Sequence, residues 1–114
     1  MNDAVIDVVI PNGASLSAAV NLGTKTLVGV VMPAEWTAAN LTLQAAVAEA
    51  GTYNNVHDKA GTEFAITAAA SRAITLASDD LIGIGRWLKV RSGTSGVPVN
   101  QGADRTLKLI LKVE

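Results

Sequence analysis

The chain reads as an all-β protein, an antiparallel β-sandwich of eight or nine short strands, and three observations predict it. In Arg86-Trp87-Leu88-Lys89-Val90-Arg91 and in Arg105-Thr106-Leu107-Lys108-Leu109-Ile110-Leu111-Lys112-Val113, apolar and polar residues alternate. Side chains alternate faces along a strand, so Leu88 and Val90 share an oily face with Leu107, Leu109, Leu111 and Val113, while Trp87, Lys89, Arg91, Lys108 and Lys112 take a wet one. This is the signature of an antiparallel sheet solvated on one side, unlike the continuous apolar runs of a parallel sheet. Turn residues also recur at short, fairly even spacing. Finally, no segment has the length of a crossover helix, which a βαβ unit needs.

Residues 3–10 form a β-branched run that stops at Pro11-Asn12-Gly13, where Pro fixes φ and Asn-Gly accepts positive φ. A weaker alternation covers 15–22, and Gly23-Thr24-Lys25 turns the chain into a central strand over 26–32. Within it Gly29 allows another backbone or a bulky ring to approach closely. Pro33-Ala34-Glu35-Trp36 breaks that strand and makes a corner, with Pro suited to the first position of a helical turn. Residues 40–48 alternate again, with Leu41, Leu43, Ala45 and Val47 on one face and Thr42, Gln44, Ala46 and Ala48 on the other. The alanines at 45–50 have high helix propensity, which competes with this strand. A short strand over 53–57, a turn at Asp58-Lys59-Ala60-Gly61 and a return over 62–67, with Phe64 and Ile66 inward, read as a hairpin. Residues 68–71 link to a strand over 72–76, and Ser78-Asp79-Asp80 has capping chemistry ahead of the last two strands.

Composition bounds the function. A chain of 114 residues without internal repeats is expected to form one domain over 1–114, burying roughly two thirds of the surface its unfolded form exposes. With no cysteine, disulfides and thiolate metal sites are excluded and the redox compartment is left open. A formal net charge of -1 gives no electrostatic reason to expect nucleic acid or an anionic membrane as partner. The amino terminus carries an acid where a signal peptide has a basic region, and the apolar runs are too short to span a bilayer. Apolar residues make up 49% but aromatics only 4%, so the core must be aliphatic, with thin layers and little room for a deep pocket. Charged residues are 17%, below the usual quarter, which leaves a small, neutral surface suited to packing against other proteins.

Chemistry-bearing motifs are sparse. Gly83-Ile84-Gly85 lacks the third glycine of a phosphate loop and precedes a strand instead of a helix. His57-Asp58 sets an imidazole beside a carboxylate, but strand neighbours point to opposite faces, which suits a solvated hairpin histidine. Asp79 and Asp80 offer oxygens to calcium without the spacing of a dedicated loop, and capping explains them more simply. Asn40-Leu41-Thr42 is a glycosylation sequon that has no consequence without secretion. The connection 93–104, with Pro98 inside it, is long for a link between paired strands, and such loops are often functional. No catalytic residue, cofactor or resident metal is expected. The candidate ligand or partner contacts are Trp36, Tyr53 and Trp87, the aromatics a sugar platform would use, together with Lys89. Lys89, Arg91, Lys108 and Lys112 read as a basic stripe on a solvated outer face.

The segments Asn21-Leu22-Gly23, Val30-Val31-Met32-Pro33-Ala34-Glu35-Trp36-Thr37-Ala38-Ala39-Asn40-Leu41-Thr42, Thr52-Tyr53-Asn54-Asn55-Val56-His57-Asp58, Gly61-Thr62-Glu63 and Arg86-Trp87-Leu88-Lys89-Val90-Arg91-Ser92-Gly93-Thr94 resemble small virion structural proteins of tailed bacteriophages and prophages. The order of these segments and the Arg-aromatic-Leu-Lys-Val-Arg strand near the end are also similar to jelly-roll modules of the galactose-binding and discoidin type. The turn at Glu49-Ala50-Gly51 departs from the Gly-Gly turn that related phage sequences often carry before Tyr-Asn-Asn, so no ligand loop is transferred there. The resemblance implies a non-enzymatic capsid decoration or cement protein, made in the host cytoplasm and placed on the capsid surface of the virion. Its implied partners are the major capsid protein and further copies of itself, as a trimer at local threefold positions. The alternative is a carbohydrate-binding or adhesion module of a tail, baseplate or head fibre, with a host glycan as ligand and Trp87, Trp36 or Tyr53 as platform.

Overall fold

Among residues 3–77, 81 and 84–113, which the computed structural model describes, nine strands alternate between two sheets. They are β1 (Asp3–Ile10), β2 (Val20–Asn21), β3 (Lys25–Val31), β4 (Leu41–Ala46), β5 (Asn54–Asn55), β6 (Ala65–Ile66), β7 (Ala73–Thr75), β8 (Trp87–Ser92) and β9 (Arg105–Val113). Sheet A has the order β1-β9-β3-β7, and sheet B the order β2-β8-β4-β5, with β6 also paired to β4. Every pairing is antiparallel. The chain changes sheet at each connection except within β4-β5-β6, which is the winding of a jelly roll. The predicted all-β sandwich is the fold observed.

The inward positions predicted from alternation form the core. Leu107, Leu109 and Leu111 of β9 and Leu27 and Val30 of β3 face Leu41 and Leu43 of β4 and Leu88 and Val90 of β8, all essentially inaccessible to water. Phe64 and Trp36 only pack against this aliphatic cluster while staying partly exposed. Gly29 sits where β3 slips register against β9, between Leu27 and Gly29. A Cβ there would lie 3.1 Å from the Ile74 carbonyl and 3.4 Å from Ile110, so the close approach is made by two neighbouring strands.

Four expectations change. The alternating segments β8 and β9 are not neighbours in one sheet: β8 belongs to sheet B and β9 to sheet A, and their oily faces meet across the core. The connection 93–104 therefore crosses from one sheet to the other. The basic stripe divides accordingly, Lys89 and Arg91 lying on sheet B, Lys108 and Lys112 on sheet A. Arg91 is only 7% exposed, and Thr42 opposite it is fully buried although both occupy outward positions. Val47 is 87% exposed, because β4 ends at Ala46 and the chain turns away. The alanines do not make a helix: Ala45 and Ala46 are taken up by pairing with Leu88 and Trp87, and the remainder closes a turn through Gly51 N–H to Ala48 O at 3.0 Å.

The hairpin after β4 is closed by Asp58 N–H to Thr62 O and Phe64 N–H to Val56 O, while its two arms splay onto the same edge of β4. The weak alternation over 15–22 runs along β8 with an interrupted ladder, in which the Ser17 hydroxyl accepts the Val90 N–H at 2.9 Å where a strand carbonyl would otherwise serve. Ser78-Asp79-Asp80 and Gly83 lie outside the described residues.

Candidate functional site

Strand parity gives each sheet an outer face, and the candidate contacts distribute unevenly over them. On sheet B, the outward row Asn21, Trp87, Ala46 lies next to the row Lys89, Gln44, Asn55 and then to Arg91, Thr42, Ala65. The Lys89 ammonium stands 4.3 Å from the Tyr53 ring centre, and the Tyr53 hydroxyl donates to Glu49 O at 2.9 Å. One face of that ring is thus occupied by a cation, a contact worth about 0.5–1 kcal/mol at a partly exposed site. Trp87 is half-buried in the neighbouring row. Trp36 is elsewhere: it precedes β4, packs against the core and donates its indole N–H to Ala39 O at 3.0 Å. Trp87 pairs with Ala46 at the far end of β4, whereas Trp36 is engaged with Ala39 in the segment that leads into that strand. The three aromatics do not form one platform.

Arg91 is buried on this outer face because two excursions close over it. Its guanidinium donates to Thr42 Oγ1 (3.0 Å) and to Asn55 Oδ1 (2.8 and 3.1 Å), and lies 3.5 Å from Glu63 Oε2. Glu63 in turn accepts the Ser95 N–H, and the Thr42 hydroxyl donates to Gly93 O at 2.7 Å. The network therefore fastens the hairpin and the turn at 93–97 to β4 and β8. Gly93 has φ +91°, and a Cβ there would come within 2.5 Å of Val97 O, so this turn demands glycine.

Gln101 organises the opposite end. It is 1% exposed, and its amide oxygen accepts Thr37 N–H (2.8 Å) and Arg105 Nε (3.2 Å), while its nitrogen donates to Thr37 O and to Ser92 Oγ, both at 3.0 Å. The backbone of Gln101 exchanges bonds with Gly13 and Ala14. The long connection is thus pinned at its end to the corner after β3 and to the turn after β1.

His57 and Asp58 do not act together. His57 Nδ1 lies 3.1 Å from Asn55 O, whereas Asp58 Oδ1 accepts the N–H groups of Ala60 and Thr62. Among the described residues no group of three or more His, Asp or Glu is placed to hold a metal ion. A shallow, open groove of about 310 Å³ beside β4 and β5 is lined by Ala46, Val47, Thr52, Asn54, His57 and Ile84, among others.

Sheet A presents a different surface. Its outward positions include Val5, Ile110 and Gly29 in one row, Asp7, Lys108, Val31 and Ala73 in the next, and Val9 with Thr106 beyond. Val5 is 59% exposed, Val9 40% and Val31 37%, and Ile110 is half-buried between them. The only charges in the central rows are Asp7 and Lys108, paired at 2.9 Å and both more than half exposed. This aliphatic stripe was not among the candidate contacts, although residues 3–10 carry a signal for it: the run is apolar at both parities, which an antiparallel strand with a solvated outer face does not need. Comparison of the chain with protein-family models, with curated proteins and with solved structures returns no match.

Proposed function

We propose that this chain is a virion structural protein of the capsid decoration type, which binds the outside of a shell through the outer face of sheet A and stabilises it. The observation that carries the reading is the stripe of Val5, Val9, Val31 and Ile110, which gathers three of the exposed valines and a half-buried isoleucine on one sheet face where Asp7 and Lys108 offset each other's charge. Two further features support it. The resemblance to small phage virion proteins runs through segments between Asn21 and Thr94, and on sheet B Arg91, Thr42, Asn55 and Glu63 are bonded to one another. The mechanism is thermodynamic: contacts that exist only in the assembled particle stabilise the particle by mass action, without any chemical step. The major capsid protein is the proposed partner and the capsid surface the proposed location.

A second reading, a glycan-binding module of a tail, baseplate or head fibre, draws on the groove beside β5, where Thr52, Asn54 and His57 offer hydrogen-bonding groups and Ala46, opposite Trp87, forms part of the wall. A glycan array separates the readings. A reproducible hit lost in Trp87→Ala favours the tail module, and no hit is expected. For the decoration reading, particles lacking the protein should lose DNA at lower temperature and regain resistance when purified protein is added back. Unchanged heat resistance together with impaired adsorption to cells contradicts it.

A further inference from the structure

We infer that β1 is a self-pairing edge, at which two copies of this chain join antiparallel to make one continuous eight-stranded sheet. The four margins of the sandwich are unequal. Strands β7, β2, β5 and β6 are two or three residues long, whereas β1 runs for eight residues as an edge and pairs, among the described residues, only with β9. Proteins blunt such edges with proline, lysine, bulges or short length. Most of these devices are absent: Asp3–Ile10 contains no proline, glycine or lysine, its charged residues are only Asp3 and Asp7, and its ladder with β9 is unbroken from Asp3 opposite Lys112 to Ile10 opposite Arg105. The core is also open at this margin. Inward-facing Ala4 and Ile6 are only half-buried, while Val8 and Ile10 farther along the same strand are buried.

The residue pattern of β1 selects a second copy as the occupant and fixes its register. Paired residues of an antiparallel ladder point to the same face, so a two-fold self-pairing must be centred on a residue. Centring on Val5 pairs only residues 3–7. Centring on Asp7 sets that carboxylate against its own copy, which is unfavourable. Centring on Ile6 pairs residues 3–9, puts Ile6 against Ile6 and Ala4 against Val8 on the core side, and sets each Asp7 opposite Val5 with Lys108 still beside it at 2.9 Å. The half-buried Ile6 is thereby covered by Ile6, and the half-buried Ala4 by Val8, of the other copy. The contact is two-fold and closes at two copies, unlike the threefold association that the virion resemblance implies. It is independent of shell binding, because β1 joins through its edge and can be assayed with purified protein alone.

The absence of cysteine makes the test direct. Ile6→Cys should cross-link to a covalent dimer under mild oxidation at least tenfold faster than Asp7→Cys. Ala4→Cys and Val8→Cys should each fail to cross-link alone and should cross-link when mixed. In sedimentation the unmodified chain should pass from monomer to dimer with rising concentration, and the variant Val5→Asp/Val9→Asp, which sets carboxylates opposite Asp7 and Asp3 of the other copy, should raise the dissociation constant at least tenfold with its circular dichroism unchanged. A chain that stays monomeric at all concentrations, that sediments as a trimer, or that cross-links preferentially through Cys at position 7 overturns the inference.

Discussion

The outer faces of the two sheets start from the same alternating pattern and end as opposites. On sheet B the outward positions of β4 and β8 are polar, and the hairpin after β5 and the turn after β8 fold over them, so that Arg91 and Thr42 become buried and fully bonded. On sheet A the outward positions of β1, β3 and β9 set Val5, Val9, Val31 and Ile110 among Asp7, Thr106, Lys108 and Lys112, and the three valines stay exposed. The difference teaches where the molecule is complete and where it is not. Polar groups on sheet B have found partners within the chain, and such buried networks stabilise one arrangement only when every member is satisfied. Val5, Val9 and Val31 on sheet A remain exposed beside their strand neighbours, and an exposed Asp7–Lys108 pair contributes about 0–1 kcal/mol at most, too little to be the reason for that face.

The comparison can be broken by substitution, beginning with the core that both faces share. Leu88→Asp should abolish folding, since an unpaired carboxylate costs several kcal/mol to bury against a total stability of about 5–15 kcal/mol, whereas Lys89→Asp next to it should melt close to the unmodified protein. Similar melting of the two variants would mean that the faces of β8 are exchanged. Gln101→Leu should lower stability by about 2–4 kcal/mol in urea titration, because partners of the amide at Thr37, Ser92 and Arg105 lose their bonds in a site with little access to water. A neutral result would show that the corner and the long connection are held by something else. The sharpest contrast is between the outer faces: Arg91→Leu should cost about 1–3 kcal/mol through the groups it leaves unpaired, while Val31→Asp should cost about 1 kcal/mol or less. Equal costs would erase the distinction drawn between the sheets.

The bounds of β1 and β9 were legible from the sequence because alternation and the Pro11-Asn12-Gly13 turn are local signals. The identity of the core residues on β8 and β9 followed for the same reason. Their assignment to opposite sheets did not, since strand pairing depends on partners tens of residues away and the same oily face can meet either a neighbour or the facing sheet. The burial of Arg91 was hidden too: its cover comes from Asn55, Glu63 and Ser95, and no local pattern at 86–91 announces them. Gln101 read as a loop residue because its four side-chain bonds reach to Thr37, Ser92 and Arg105. Of the candidate contacts, Tyr53 and Lys89 do meet, Trp87 shares their face, and Trp36 serves the core instead.

The central claim is that the outer face of sheet A is the docking surface, and co-sedimentation of purified protein with shells lacking it tests this most directly. The account predicts that the unmodified protein and Lys89→Asp, altered on sheet B, bind and restore heat resistance, while Val31→Asp, still folded, loses at least tenfold in binding. Full binding by Val31→Asp, with loss in Lys89→Asp, would contradict it and move the contact to sheet B.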